Sequence, residues 1–161
     1  MAAISMHEMP ALSKKLAADY PQLSFQAGDA FRWSAAEKRV CYELGADHFD
    51  AYLLHETGHG LLGHSDYLLD IDLLAMERDA WQKARQLAVT YDVHIDDATV
   101  DDALDSYRDW LHRRSTCPDC RATGMQVGEH TYHCLVCRSD WLVNEARACR
   151  LKRHLQNKNP S

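Results

Sequence analysis

The stretch His55-Glu56-Thr57-Gly58-His59 sets two imidazoles four residues apart, with a carboxylate directly after the first. On a helix those positions share one face about one turn apart, so both rings can reach one ion. Zinc takes imidazole nitrogen at about 2.0–2.1 Å, and two histidines then fill two corners of a tetrahedron. Glu56 stands beside the ion rather than facing it. There a carboxylate can take a proton from water that a metal has acidified to a pKa of about 7. The chemistry implied is hydrolysis, with Glu56 as the general base. A polar helix with two solvent-facing histidines would carry no such chemistry. Tyr52, Leu53, Leu54, Leu61 and Leu62 argue against it, because they make the segment apolar, and buried histidines need partners.

A catalytic zinc site takes three protein ligands and leaves one position open. Glu77 is the expected third ligand. It lies 18 residues past His59, on a stripe of Leu73, Met76, Ala80, Trp81, Ala84, Leu87, Ala88 and Tyr91 that recurs at steps of three and four. A carboxylate on such a stripe is costly unless it is paired or bound to metal. A surface glutamate pairing with Arg78 or Lys83 is the plain alternative. His64 is the rival ligand, but it follows His59 by five residues and needs the chain to turn back at Gly63. Tyr67, Tyr91 and His94 are candidates to stabilise an oxyanion, weighed against simple packing or exposure.

A second constellation comprises Cys117, Cys120, Cys134 and Cys137, spaced C-x2-C-x13-C-x2-C. Two such turns aim four thiolates at one ion and close its coordination shell, which makes the site structural. The segment between the pairs alternates like a hairpin, and Ser139–Val143 reads as a return strand. So short a module cannot fold on a hydrophobic core alone, so the ion would supply the missing stability. A redox pair is the competing reading. His130 and His133 are surplus to four thiolates. Cys41 and Cys149 read as isolated small thiols.

The elements that must position these residues follow from the pattern. Residues 7–20 read as a helix stopped by Pro21. Phe31 and Trp33 alternate, as do Val40, Tyr42 and Leu44, which predicts a β-hairpin with a further strand near 23–25. Asp47 is the expected cap of a helix over 48–62 that carries HETGH and closes at Gly63. Helices follow over 71–91 and 98–113. The last packs Val100, Ala103, Leu104, Tyr107, Trp110 and Leu111 on one face. Residues 144–156, NEARACRLKRHLQ, read as a basic C-terminal helix.

The chain has 161 residues, 46% hydrophobic and 26% charged, with a net charge of −6. That suits a globular protein with one domain and a small appended module. No apolar run is long enough for a membrane span, and the N-terminus lacks the charged and apolar regions of a signal peptide, so no membrane association and a cytoplasmic location are expected. Residues 1–111 hold 9 Lys and Arg against 20 Asp and Glu, a net of −11. Residues 112–161 hold 9 against 4, a net of +5. Such a step marks two units, drawn here as 1–113 and 114–161. The acidic part repels nucleic acid. In the basic part, Arg113, Arg114, Arg121, Arg138, Arg147, Arg150, Lys152 and Arg153 could meet phosphates, and Tyr132, His133 and Trp141 could stack on bases. Four thiolates around zinc carry a net −2, which weakens that attraction.

HETGH together with Met76-Glu77-Arg78-Asp79-Ala80-Trp81 resembles the ImmA/IrrE-type zincin-like metallopeptidases over about residues 7–92. The resemblance implies a helix, a small antiparallel sheet, the H-E-x-x-H helix and a following helix bearing a glutamate. It also implies zinc on His55, His59 and Glu77, with Glu56 as base. The gap to Glu77 is shorter than that family leads one to expect. HETGHGLLGH also approaches the metzincin pattern, one residue short before its last histidine. The combined expectation is an α+β protein: a zincin-like core, a zinc ribbon and a basic helix. It would hold two zinc ions and hydrolyse a peptide or protein substrate. The alternative is a non-catalytic regulatory or nucleic-acid-binding zinc protein whose zincin half is degenerate; a further alternative keeps the hydrolase but acts on a non-peptide amide.

Overall fold

In the computed structural model, residues 9–144 and 153–156 are described. The fold is α+β, with four helices and two small sheets among those residues. They form two compact units. One comprises 9–66 and 76–101; the other comprises 67–75, 102–144 and 153–156. The sequence-based division at 113/114 assigns all of the helix over 98–113 to the first part, whereas the compact units divide that helix after residue 101.

In the first unit, α1 (Ala11–Asp19) buries Leu16 and Ser13. Among the described residues the expected helix begins at Ala11 and not at residue 9 or 10, because Pro10 lacks an amide hydrogen and disfavours helical backbone at the residue before it. Residues 7 and 8 lie outside the described residues. Strands β1 (Ser24–Gly28), β2 (Arg32–Ser34) and β3 (Arg39–Glu43) form a sheet in the order β1-β3-β2. The expected hairpin is β2–β3, antiparallel with Trp33 opposite Val40. The further strand is present, but β1 runs parallel to β3, with Phe25 opposite Val40. Val40 and Tyr42 are buried, whereas Leu44 is 50% exposed. The expected alternation stops at Glu43, because the chain leaves the sheet and turns at Gly45, whose φ is +76°.

Helix α2 (Phe49–Leu62) carries HETGH. Its N-cap is His48 in the left-handed region, with no side-chain cap, so the expected Asp47 cap is not formed. Its end is as expected. Gly63 adopts φ +68°, its amide donates to the Gly60 carbonyl, and the His64 amide donates to the His59 carbonyl at 3.0 Å. This pairing satisfies carbonyls that the last turn leaves free, and the left-handed conformation suits glycine. Helix α3 spans Asp70–Tyr91 and α4 spans Asp97–Ser115, close to the expected ranges. The stripe on α3 is buried at Leu73, Glu77, Ala80, Trp81, Ala84, Leu87 and Ala88.

In the second unit, β4 (Met125–Gly128), β5 (Thr131–His133), β6 (Asp140–Val143) and β7 (Arg153–Gln156) form an antiparallel sheet in sequence order. Strand β7 corrects the expected basic helix at its C-terminal end: residues 153–156 pair with β6, Trp141 opposite Leu155. Without it β6 would present a row of unpaired backbone groups, and pairing outweighs a local helical preference. The rest of that expected helix, with Cys149, lies outside the described residues. Tyr132 and Trp141 are buried and stacked, centroids 5.6 Å apart.

Beside them lies a buried polar cluster. Arg114 Nε donates to Asp70 Oδ2 at 2.7 Å, and the Tyr132 hydroxyl donates to the same oxygen at 2.5 Å. The Asp70 amide donates to Gln126 Oε1 at 2.7 Å, and the Arg114 guanidinium also bonds the Asn144 carbonyl. Burial and the Asp70 carboxylate push the Tyr132 hydroxyl up, so it remains a donor. Among the described residues no helix is long and apolar enough to cross a membrane.

Asp70→Ala should leave the Arg114 guanidinium buried without its carboxylate. The expected loss is about 3–5 kcal/mol, read as a lower urea midpoint at unchanged slope. A loss under about 1 kcal/mol would mean that the cluster is in effect solvated.

Candidate metal centres

Two groups of side chains in the described residues could hold metal ions: His55 with His59 and Glu77, and the four cysteines. The first lies within the first unit. His55 and His59 project from the same face of α2, and Glu77 meets them from α3. Glu77 Oε2 is 3.0 Å from His55 Nε2, and Oε1 is 3.3 Å from His59 Nε2. The two Nε2 atoms are 3.2 Å apart. A tetrahedron with arms of about 2.0–2.1 Å has edges of about 3.3–3.4 Å. The two Nε2 atoms are therefore spaced much as two corners of a zinc shell would be, with a different carboxylate oxygen of Glu77 about one edge from each. All three residues are buried. Glu77 Oε2 and His55 Nδ1 make no well-formed hydrogen bond among the described residues. Buried polar atoms left in this way are costly, and a cation shared by the three residues would compensate the carboxylate oxygen.

The electrostatics agree with a cation site. Burial acts to raise the Glu77 carboxyl, but the two imidazoles beside it prevail and hold it at about 2. Glu56, on the next position of α2, points into different surroundings. Burial is the largest influence and raises its carboxyl above the ordinary value, against the lowering effect of the histidines and of a backbone hydrogen bond from Trp33. The two carboxylates are thus pushed in opposite directions. One stays ionised as a ligand; the other lies nearer the range in which a group both takes and returns a proton.

Glycines set the approach of the elements. A Cβ at Gly58 would lie 2.7 Å from the Ala80 carbonyl oxygen, so α2 and α3 are closer there than any side chain permits. A Cβ at Gly60 would fall 2.9 Å from the Trp33 ring. Trp81 stacks on the His55 imidazole at 4.2 Å and fixes its plane. The sequence reasoning gave Gly58, Trp33 and Trp81 no part in the site. Trp81 had a signal, because it lies four residues past Glu77 on the same stripe. Gly58 had one in being a glycine inside an apolar helix. Trp33 had none.

Other expected residues fall elsewhere. His64 does not join Glu77 at the Nε2 atoms. It stands on the far side of His59, the two Nδ1 atoms 2.9 Å apart, and burial lowers its pKa below the ordinary imidazole value. The Tyr91 hydroxyl donates to Asp19 at 2.6 Å, which commits it away from an oxyanion. His94 borders a groove with His48, Phe49, Asp50, Ala51 and Asp96, outside the ligand group. Tyr67 belongs to the second unit.

The second group gathers Cys117, Cys120, Cys134 and Cys137. Cys117 and Cys137 sulfurs are 3.6 Å apart, and Cys120 and Cys134 sulfurs are 3.5 Å apart. Those distances exclude disulfides, which need about 2.05 Å. They approach the edge of about 3.8 Å of a tetrahedron with zinc–sulfur arms of about 2.3 Å. Hydrogen bonding with Ser139 lowers the Cys137 thiol toward the thiolate a metal takes, whereas hydrogen bonds among the thiols push Cys120 up. His133 pairs with Asp140 at 2.6 Å, and neither it nor His130 belongs to the cysteine group. Three residues expected to meet nucleic acid are withdrawn from the surface. Arg114 is bound to Asp70, and Tyr132 and Trp141 are core. Their burial follows from the small size of the unit, which needs its large side chains inside. Of the other expected cations, Arg147, Arg150 and Lys152 lie outside the described residues.

No family model, curated protein or solved structure matches the chain.

The two groups should bind two zinc equivalents per chain by metal analysis after dialysis, with one lost in His55→Ala and the other in Cys117→Ser. Gly58→Ala should overpack the α2–α3 contact at a cost of about 1–3 kcal/mol. It should weaken the His/Glu site in a chelator competition and leave the cysteine ion in place.

Proposed function

We propose that the protein is a zinc-dependent metallopeptidase whose ligands are His55, His59 and Glu77 and whose general base is Glu56. The observation that supports this reading best is the pair of carboxylates at one place. Glu77 is spaced for coordination with both imidazoles, and Glu56 lies beside them with its carboxyl raised. Three protein ligands leave a tetrahedral ion one open position, the arrangement of catalytic zinc sites. The likeness of HETGH and the Glu77 segment to ImmA/IrrE-type peptidases is part of the same proposal. The cysteine group is proposed as a structural zinc site of ribbon type, and a peptide or protein is the proposed substrate.

Zinc held there supplies Lewis acidity, polarising a carbonyl and acidifying a water molecule. The chain's own groups do the rest. His55 and His59 offer neutral Nε2 lone pairs. Glu77 supplies the negative charge that keeps a dication in a buried place. Glu56 accepts the proton released as water oxygen bonds to the carbonyl carbon. It returns that proton to the amine nitrogen as the carbon–nitrogen bond breaks, so the base is regenerated. Trp81 holds the His55 ring against rotation.

Hydrolysis of a quenched fluorescent peptide library or casein is the direct test. Glu56→Gln should keep both zinc ions and lose about 10²–10⁴-fold in kcat. A general base works deprotonated, so raising the Glu56 pKa moves the acid limb of kcat/KM above the ordinary glutamate value of 4.5. Activity is expected to fall as pH drops through that raised value. A Glu56→Gln variant as active as wild type, or an acid limb at or below 4.5, would overturn the assignment.

A further inference from the structure

We propose that His64 is a positioning residue for the His/Glu metal site: its Nδ1 accepts the Nδ1–H of His59 and so holds His59 in the tautomer that offers Nε2 to the ion. This rests on the metal-binding reading above and adds a residue to it.

The inference comes from counting protons. The His59 and His64 Nδ1 atoms are 2.9 Å apart, with ring centroids 5.0 Å apart and the planes at 67°. At that distance one nitrogen carries the proton and the other accepts it. His59 Nε2 is the atom that faces Glu77 and His55. If it is to bind a cation it must present a lone pair, so a neutral His59 carries its single proton on Nδ1. His64 Nδ1 is then the acceptor, and the His64 proton sits on its own Nε2. The opposite assignment would put the His59 proton on Nε2, toward the ion.

The backbone around His64 is secured from two directions, so the acceptor is in place before any metal arrives. The Gly63 turn returns the chain, and the His64 amide donates to the His59 carbonyl at 3.0 Å. From β2, the Trp33 indole Nε1–H donates to the His64 carbonyl at 2.8 Å. The five-residue spacing that makes His64 a poor helical ligand is the spacing that brings it behind His59. The two ligand histidines are held differently. His55 Nδ1 has no hydrogen-bond partner among the described residues, and its ring is fixed by stacking on Trp81. The tautomer-fixing bond therefore falls to His59. Such outer partners of a ligand histidine are typically worth about 10–100-fold in metal affinity.

The test compares the full-length wild type with His64→Phe, which keeps a ring but no acceptor, and His64→Asn, whose side-chain oxygen can occupy the place of Nδ1. Zinc affinity of the His/Glu site is read by competition with a chromophoric chelator, with the cysteine ion as internal reference. His64→Phe should lose about 10–100-fold and His64→Asn should recover much of that loss. In zinc-loaded wild type, nitrogen–proton correlation of the imidazoles should find the His59 proton on Nδ1 and the His64 proton on Nε2. This measurement needs no variant to fold. Unchanged affinity in His64→Phe, an asparagine variant as weak as the phenylalanine one, or a His64 proton on Nδ1 each overturns the proposal and leaves the metal site standing. Wild type that takes up only the cysteine ion overturns both.

Discussion

The first unit depends on how closely two helices can approach. Gly58 faces the Ala80 carbonyl with no room for a Cβ, and Glu77 lies one turn before Ala80 on the same helix. A glutamate side chain is short. With α3 held further away by even a methyl group, its carboxylate would not reach the two Nε2 atoms at about 3 Å. The glycine within HETGH is therefore a distance constraint, and its cost in helix propensity is about 1 kcal/mol. The second glycine of the helix, Gly60, plays the corresponding part toward Trp33 of β2. Two faces of α2 are thus pressed against neighbours, and His55 and His59 between them have little freedom.

Close packing and buried charge are linked here. Removing ionisable groups from water is unfavourable unless each finds a counterpart. Each unit answers this differently. The Asp70 carboxylate is matched within the chain, by the Arg114 guanidinium and the Tyr132 hydroxyl. Glu77 has two imidazoles, which the protein can leave neutral, and a well-formed bond is missing at one of its oxygens. An internally complete cluster has little use for a ligand, whereas an incomplete one attracts a cation. That contrast, more than the count of acidic or histidine residues, separates the structural cluster from the candidate site.

How much could be read from the sequence follows from how local each interaction is. His55 and His59 are four residues apart on one helix, and each C-x-x-C is a single turn, so spacing alone brings their donors together. Glu77 could be found because a carboxylate interrupted an apolar stripe. The helices Asp70–Tyr91 and Asp97–Ser115 followed from periodicity with ends within two residues of expectation, and the starts of the first two shifted at Pro10 and His48. The parallel pairing of β1 with β3 could not be read, because alternation shows faces and not strand direction. Asp70 and Arg114 lie 44 residues apart, and neither carries a local sign that it is half of a buried pair. For that reason Arg114, Tyr132 and Trp141 looked like a basic, aromatic surface when they are interior. The strand at 153–156 was read as helix because its pairing partner, β6, lies outside any local window.

The second unit is assembled from separated stretches, since residues 67–75 belong with 102 onward. A unit built in this way is not a cassette. It cannot be fused to another protein as a single run of its own residues, because the carboxylate that neutralises Arg114 is encoded upstream of residues 76–101 of the other unit. During synthesis the same order makes Asp70 wait until Arg114 and Tyr132 have been translated. A contiguous segment that begins after residue 75 keeps Arg114 and Tyr132 but lacks Asp70, and so leaves the guanidinium unmatched.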